Sequence, residues 1–418
     1  MGFFSPGLEH GLSDRVYRRT VLRHSPSLVT VSFRLIHLLL CSITLLQVGA
    51  LGQGAVGAEP AGESPEISTA ITMPAPVTWV AWGSGFAGAG LRDNVLLSHS
   101  GEERSGFVRG GLDVTAWNRK DARIDYWVSV RTFGTRYFSA KTVNHEEQAI
   151  FLSELNSRVG DTFKFALNAS ASYSHLIYDV SDTDLLQVVS EVKRSGGALG
   201  PTIRWAFVPS AWIEASGAAR RETYPDGYNN RGIQEGGVRA GWKPSARFEA
   251  SVAGAEAHRA FDRREQYSAG GRPLGGTVLA ITERDGELRV KATLDAAARW
   301  KTVTRAGVTQ FADNGSGFLD YRERKVGQEV DWEAGDWLVE FEATARRLEF
   351  QKQTVGVGVA PPPRVRDAFF ARVLLERKLG ATWTVYAEYT WERNRCNDPL
   401  AAYSLNEGLL GIRWNWEK

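Results

Sequence analysis

Residues 382–392 read TWTVYAEYTWE. In an extended chain Trp383, Val385, Ala387, Tyr389 and Trp391 fall on one face, and Thr384, Tyr386, Glu388, Thr390 and Glu392 on the other, because strand side chains alternate with a period of two. A tilted strand of about 9 to 11 residues crosses the hydrocarbon core of a bilayer, so this segment is long enough to do so. Its apolar face carries a ring at each end, where the two interfaces of a bilayer would lie.

The same pattern recurs along the chain. Phe163, Phe165, Leu167, Ala169, Ala171 and Tyr173 oppose Lys164, Asn168, Ser170, Ser172 and Ser174. Ile124, Tyr126, Val128 and Val130 oppose Arg123, Asp125, Ser129 and Arg131, with Trp127 the exception. Leu288, Val290 and Ala292 oppose Arg289, Lys291 and Thr293. Val339, Phe341, Ala343 and Ala345 oppose Glu340, Glu342, Thr344 and Arg346, and Phe369, Ala371, Val373 and Leu375 alternate with Arg372 and Glu376. A soluble sheet with one solvated face shows the same alternation, so alternation alone does not place these strands in a membrane. The mean hydropathy of −0.27 does not exclude it either, because a barrel strand averages an apolar face with a polar one.

The connections discriminate better. Short ones are expected at 118–121, 157–161, 209–210, 243–246, 297–298, 333–336 and 379–381. Longer polar ones are expected at 135–146, 179–184, 225–230, 262–276, 313–317, 354–364 and 397–402. Alternating tight turns and long loops mark an up-and-down barrel with two unlike rims. With 185–208 kept as one strand through Gly196 and Gly197, the count is about sixteen, with fourteen or eighteen as alternatives. The expected fold is all-β, a transmembrane antiparallel barrel over 83–418. No long inward-folding loop or plug is evident.

Tryptophan supports this reading. Trp117, Trp205, Trp212, Trp242, Trp300, Trp332, Trp337, Trp383, Trp414 and Trp416 all lie near an expected short turn or the C-terminus. An aromatic girdle at one interface accounts for that clustering, since the indole ring is apolar while its N–H seeks a partner.

Residues 1–58 read as an export leader: five arginines precede the apolar run Leu35 to Leu46, and small residues follow up to Ala58. Residues 59–82, with Pro60, Pro65, Pro74 and Pro76, read as a connector on the periplasmic side. The 50 basic and 48 acidic residues include no basic cluster of the kind a nucleic-acid surface needs. Cys41 lies in the leader, which leaves Cys396 without an intramolecular disulfide partner.

The closing segment GLLGIRWNWEK, 408–418, places Leu410, Ile412, Trp414 and Trp416 on one face. It resembles the C-terminal strand of Gram-negative outer-membrane β-barrel proteins, although Glu417 and Lys418 follow the aromatic where that family usually ends on Phe. The resemblance implies residence in the cell outer membrane, contact with outer-membrane lipid, and recognition by the barrel-assembly machinery. It also allows a homo-oligomer, and it identifies no subfamily.

A barrel of about sixteen strands is wide enough for an aqueous channel, and porin-like diffusion of small hydrophilic solutes is the expected function. The alternative is a non-conducting barrel that works as an adhesin or assembly scaffold through its loops. Expected pore-lining residues are Arg131, Lys164, Lys301, Arg305, Glu340, Glu342, Arg346, Arg372, Glu376 and Glu388. Both signs are present, so pairing across neighbouring strands is expected rather than a ring of one sign. No enzyme is expected, because Ser174 and His175 point to opposite faces and no nucleophile-elbow motif occurs. No cofactor or metal is expected: Asp179, Asp182 and Asp184 match no calcium-loop spacing, and the glycines from Gly83 to Gly90 lie in strand context without a following helix. There they permit close packing or a bend. The prolines Pro361 to Pro363 are expected to stiffen a long loop.

Overall fold

The computed structural model describes residues 79–99, 102–119, 123–179 and 189–417; the leader, most of the connector, Asp182 and Asp184 lie outside them. The described residues form a closed barrel of sixteen antiparallel strands, each bonded to its neighbours in sequence. The strands are β1 (Trp79–Arg92), β2 (Ser105–Arg119), β3 (Ile124–Tyr137), β4 (His145–Val159), β5 (Phe163–Asp179) and β6 (Val189–Val208). They continue as β7 (Ala211–Thr223), β8 (Arg231–Ser245), β9 (Phe248–Phe261), β10 (Ala280–Thr293) and β11 (Trp300–Asp313). The last five are β12 (Tyr321–Ala334), β13 (Trp337–Thr354), β14 (Pro363–Leu379), β15 (Trp383–Cys396) and β16 (Tyr403–Glu417).

β6 passes unbroken through Gly196 and Gly197, which fixes the even count. β1 begins at Trp79, ahead of Gly83. It closes the barrel against β16, from Trp82 opposite Glu417 to Arg92 opposite Glu407, so no strand edge is left open.

The two rims differ as the turn chemistry requires. At one, β12 passes into β13 with Ala334 paired to Trp337, and at the β12–β13 and β14–β15 turns Gly335 and Gly380 take φ of 58° and 82°. That is the left-handed region glycine enters without a Cβ penalty. At the other rim the loops are long; the one from β9 to β10 spans 262–279. A loop joining β1 to β2, residues 93–104, escaped the sequence reading altogether.

On the outer face of β13 the residues from the short-turn rim are Trp337, Val339, Phe341, Ala343 and Ala345, followed by Arg347 and Glu349. Nine residues of tilted strand give an apolar band roughly 20–25 Å tall. β15 repeats it with Trp383, Val385, Ala387, Tyr389 and Trp391 ahead of Arg393. The strands, 13 to 20 residues long, overrun the band toward the long-loop rim. There the outer face becomes charged and paired: Arg284 to Glu256 at 2.8 Å, Arg347 to Asp367 at 3.7 Å. The change from apolar to charged marks where a lipid-compatible surface ends.

Candidate functional site in the barrel lumen

The pleat that turns Phe163 and Phe165 outward turns Lys164 inward, and the same parity puts all ten expected lumen residues on the inner wall. Most are bound to another strand, one or two positions round the wall. Arg131 pairs with Asp113 at 2.8 Å and Lys164 with Glu154 at 3.8 Å. Arg372 bridges Glu340 at 3.7 Å and Glu388 at 3.2 Å, while Arg305 pairs with Glu329 and Arg413 with Glu376. Glu342 lies opposite Arg372 in register. Among the described residues Lys301 and Arg346 form no ion pair. Lys301 lies in register with Asp331, and Arg346 with Lys325.

The inner wall carries further pairs that sequence reading missed. Arg204 binds Glu214 at 2.8 Å, Arg239 faces Glu287 at 3.5 Å, Lys325 reaches Asp285 at 3.9 Å, and Arg259 holds Glu283. Their signal was present in β10, where Glu283, Asp285, Glu287, Arg289 and Lys291 occupy alternate positions.

Eight of the ten girdle tryptophans face outward: Trp205, Trp242, Trp300, Trp332, Trp337, Trp383, Trp414 and Trp416. Among them Trp300 and Trp332 lie 6.0 Å apart across β11 and β12. Trp416 lies over Gly83, where a Cβ would come within 2.7 Å of the indole. Trp117 and Trp212 correct the expectation, because both face the lumen. Trp117 is paired in register with the inward Trp127. Trp212 packs onto Gly241 with the Arg204 guanidinium 3.9 Å above its ring.

The mouth at the long-loop rim also departs from expectation, because loops fold inward there. The β1–β2 loop buries Asn94 and Val95 completely. Val95 joins Phe107, Tyr137, Leu374, Tyr386 and Leu409, and Leu97 packs with Tyr403 and Leu405, all on inward positions of the wall. Asn94 anchors the loop by donating to the carbonyls of Ser98 (2.9 Å) and Ser404 (3.0 Å). Beneath the loop, Tyr137 donates to Glu146 at 2.6 Å, and Arg109 pairs with Glu407 at 2.8 Å.

A second pad forms across the mouth. Tyr267 and Leu279 of the β9–β10 loop, with Phe318 and Leu319 of the β11–β12 loop, pack against inward Phe261, Ile281, Phe311, Tyr321, Leu348 and Phe350. Asp313 accepts from the backbone N–H groups of Gly315, Gly317 and Leu319, and Asp320 accepts from that of Asp313 at 2.7 Å. Burial pushes the Asp320 carboxyl above its ordinary pKa, against the opposing Asp313 hydrogen bond. Asp262, bonded to Arg221, is held below its own.

In architecture the chain resembles bacterial outer-membrane barrels. OccAB3 of Acinetobacter baumannii aligns with a TM-score of 0.45 at 8% identity, over 81% of this chain and 99% of that one. OmpT, an outer membrane protein of Vibrio cholerae, gives 0.43 at 12% over 81% and 98%, and OccK3 of Pseudomonas aeruginosa 0.41 at 10% over 81% and 96%. No family model matches the sequence, and no curated protein matches it. At this level of likeness the neighbours carry nothing about solute or selectivity.

Proposed function

We propose that the protein is an outer-membrane channel for passive diffusion of small hydrophilic solutes. One observation carries the reading: charged inner side chains stand back to back with the outer apolar band and remain open to water. Away from the rims the Arg131 side chain is 33% exposed and that of Arg372 32%, although Val130 beside the one and Val373 beside the other face outward. An apolar exterior and a wet, charged interior at one height suit a water-filled barrel in lipid. In this reading the short turns and both barrel ends face the periplasm, the long loops face outward, and the assembly machinery reads β16.

Because most lumen charge is neutralised across strands, ion selectivity is weak, and Lys301 and Arg346 tilt it toward anions. Planar-bilayer recording of the refolded mature protein tests this beside a heat-modifiability gel. The expected result is a folded, faster-migrating band, steady conductance, and a shift toward cations in a double Lys301→Glu, Arg346→Glu variant. A folded band without conductance supports the second reading, a closed barrel acting through its loops, which the two pads at the mouth favour.

A further inference from the structure

On the outer face of the barrel, just above the apolar band, three side chains converge. His145 and Glu147 are alternate residues of β4 and share a face, and His175 of β5 lies opposite Glu147 in register. The imidazoles of His145 and His175 meet edge to face with centroids 4.6 Å apart. One ligand atom from each of the three residues lies within 4.8 Å of the others. Tyr173, two residues before His175, still belongs to the exposed apolar surface, so the cluster sits at the polar margin of the band.

We propose that His145, Glu147 and His175 form a binding site for a borderline divalent cation of the zinc type. Two imidazoles and a carboxylate are the ligand set zinc takes when one coordination position stays open to water. The spacing supports it. His145 Nε2 stands 3.3 Å from Glu147 Oε1, and two ligands about 2.0 Å from a tetrahedral ion lie about 3.3 Å apart.

The hydrogen bonding of His145 points the same way. Its Nδ1 is hydrogen-bonded to Asn144 Oδ1, and its Nε2 faces Glu147 Oε1. A neutral imidazole has one N–H and satisfies only one of the two oxygens. With Nδ1 donating to Asn144, the Nε2 lone pair and the Glu147 carboxylate are left to share one cation. Asn144 then acts as the outer partner that fixes ring orientation and tautomer. His175 is buried while Glu147 is exposed, so the carboxylate can turn to close the site over the ion. Access is open, because the Glu147 side chain is 52% exposed and that of His145 37%.

Isothermal titration of untagged, refolded full-length mature protein with zinc chloride tests the site. The expected result is one equivalent bound, with affinity reduced at least tenfold in His145→Ala and in His175→Ala and unchanged in His258→Ala. Asn144→Ala weakens it by about 10- to 100-fold, the usual effect of losing an outer-shell partner. Absence of stoichiometric binding by the wild type overturns the proposal, as does binding that His145→Ala and His175→Ala leave intact. Where an alanine variant loses its folded band on the gel, the exposed Glu147→Gln is used in its place, and unaltered binding there also overturns it. A conducting barrel without zinc binding would sink this site and leave the channel standing.

Discussion

Asp320 illustrates how much depends on one side chain at the mouth. Its carboxyl holds the Asp313 amide, and burial raises its pKa. An acid with a raised folded-state pKa adds stability that is fully present below its ordinary value of about 3.9 and is lost as pH rises through the raised one. Above the raised pKa the half-buried charge therefore works against the loop. Asp320→Asn keeps an acceptor oxygen without the charge. Amides 313–320 should exchange more slowly in the variant than in the wild type at pH 7, and the difference should fade toward pH 4; equal rates at pH 7 would mean burial of charge is not the controlling factor. The same scale shows where sequence reading stopped. β7 opens Ala211-Trp212-Ile213, so two adjacent apolar residues compete for the outer face. Ile213 takes it because Gly241, opposite Trp212 in register, leaves space inside for an indole. Only the pairing reveals that space.

Among the elements, the strands and the positions of all connections but the β1–β2 loop were legible, and the inward folding of the loops was not. Period-two alternation is local and needs no partner, so β5, β13 and β15 could be read from their own residues. Inward folding of a loop depends on apolar side chains far along the chain, such as Tyr403 and Leu405 for the β1–β2 loop. A signal did exist: Val95, Leu96 and Leu97 are an apolar run in an otherwise polar connection, and Phe318 and Leu319 are another. Asn94 tests the importance of this fold. Asn94→Ala removes a completely buried side chain whose amide bonds the carbonyls of Ser98 and Ser404, a loss of about 1–3 kcal/mol to the local structure. Single-channel conductance should rise as the loop leaves the mouth, with ion preference unaltered, since the mid-height charges are untouched. An unchanged trace would mean that this loop does not limit the opening.

For the molecule as a whole, stability rests on closure. β16 makes eleven register pairs with β1, and removing it exposes two edges at once. In a bilayer each unsatisfied backbone group costs several kcal/mol, so deletion of 403–418 should abolish the folded, heat-modifiable band. Deletion of 356–361, where Val357 and Val359 are fully exposed, should leave that band in place. If both deletions fold, closure is not what holds the barrel. Closure has another consequence. Since the final strand lies against the first and both ends share the short-turn rim, the finished barrel has no first strand. A chain joined from 417 to 79 and cut at Gly335 would satisfy every other ladder as before. The order of strands along the polypeptide thus governs the route by which the ring is assembled and leaves the shape of the ring unchanged.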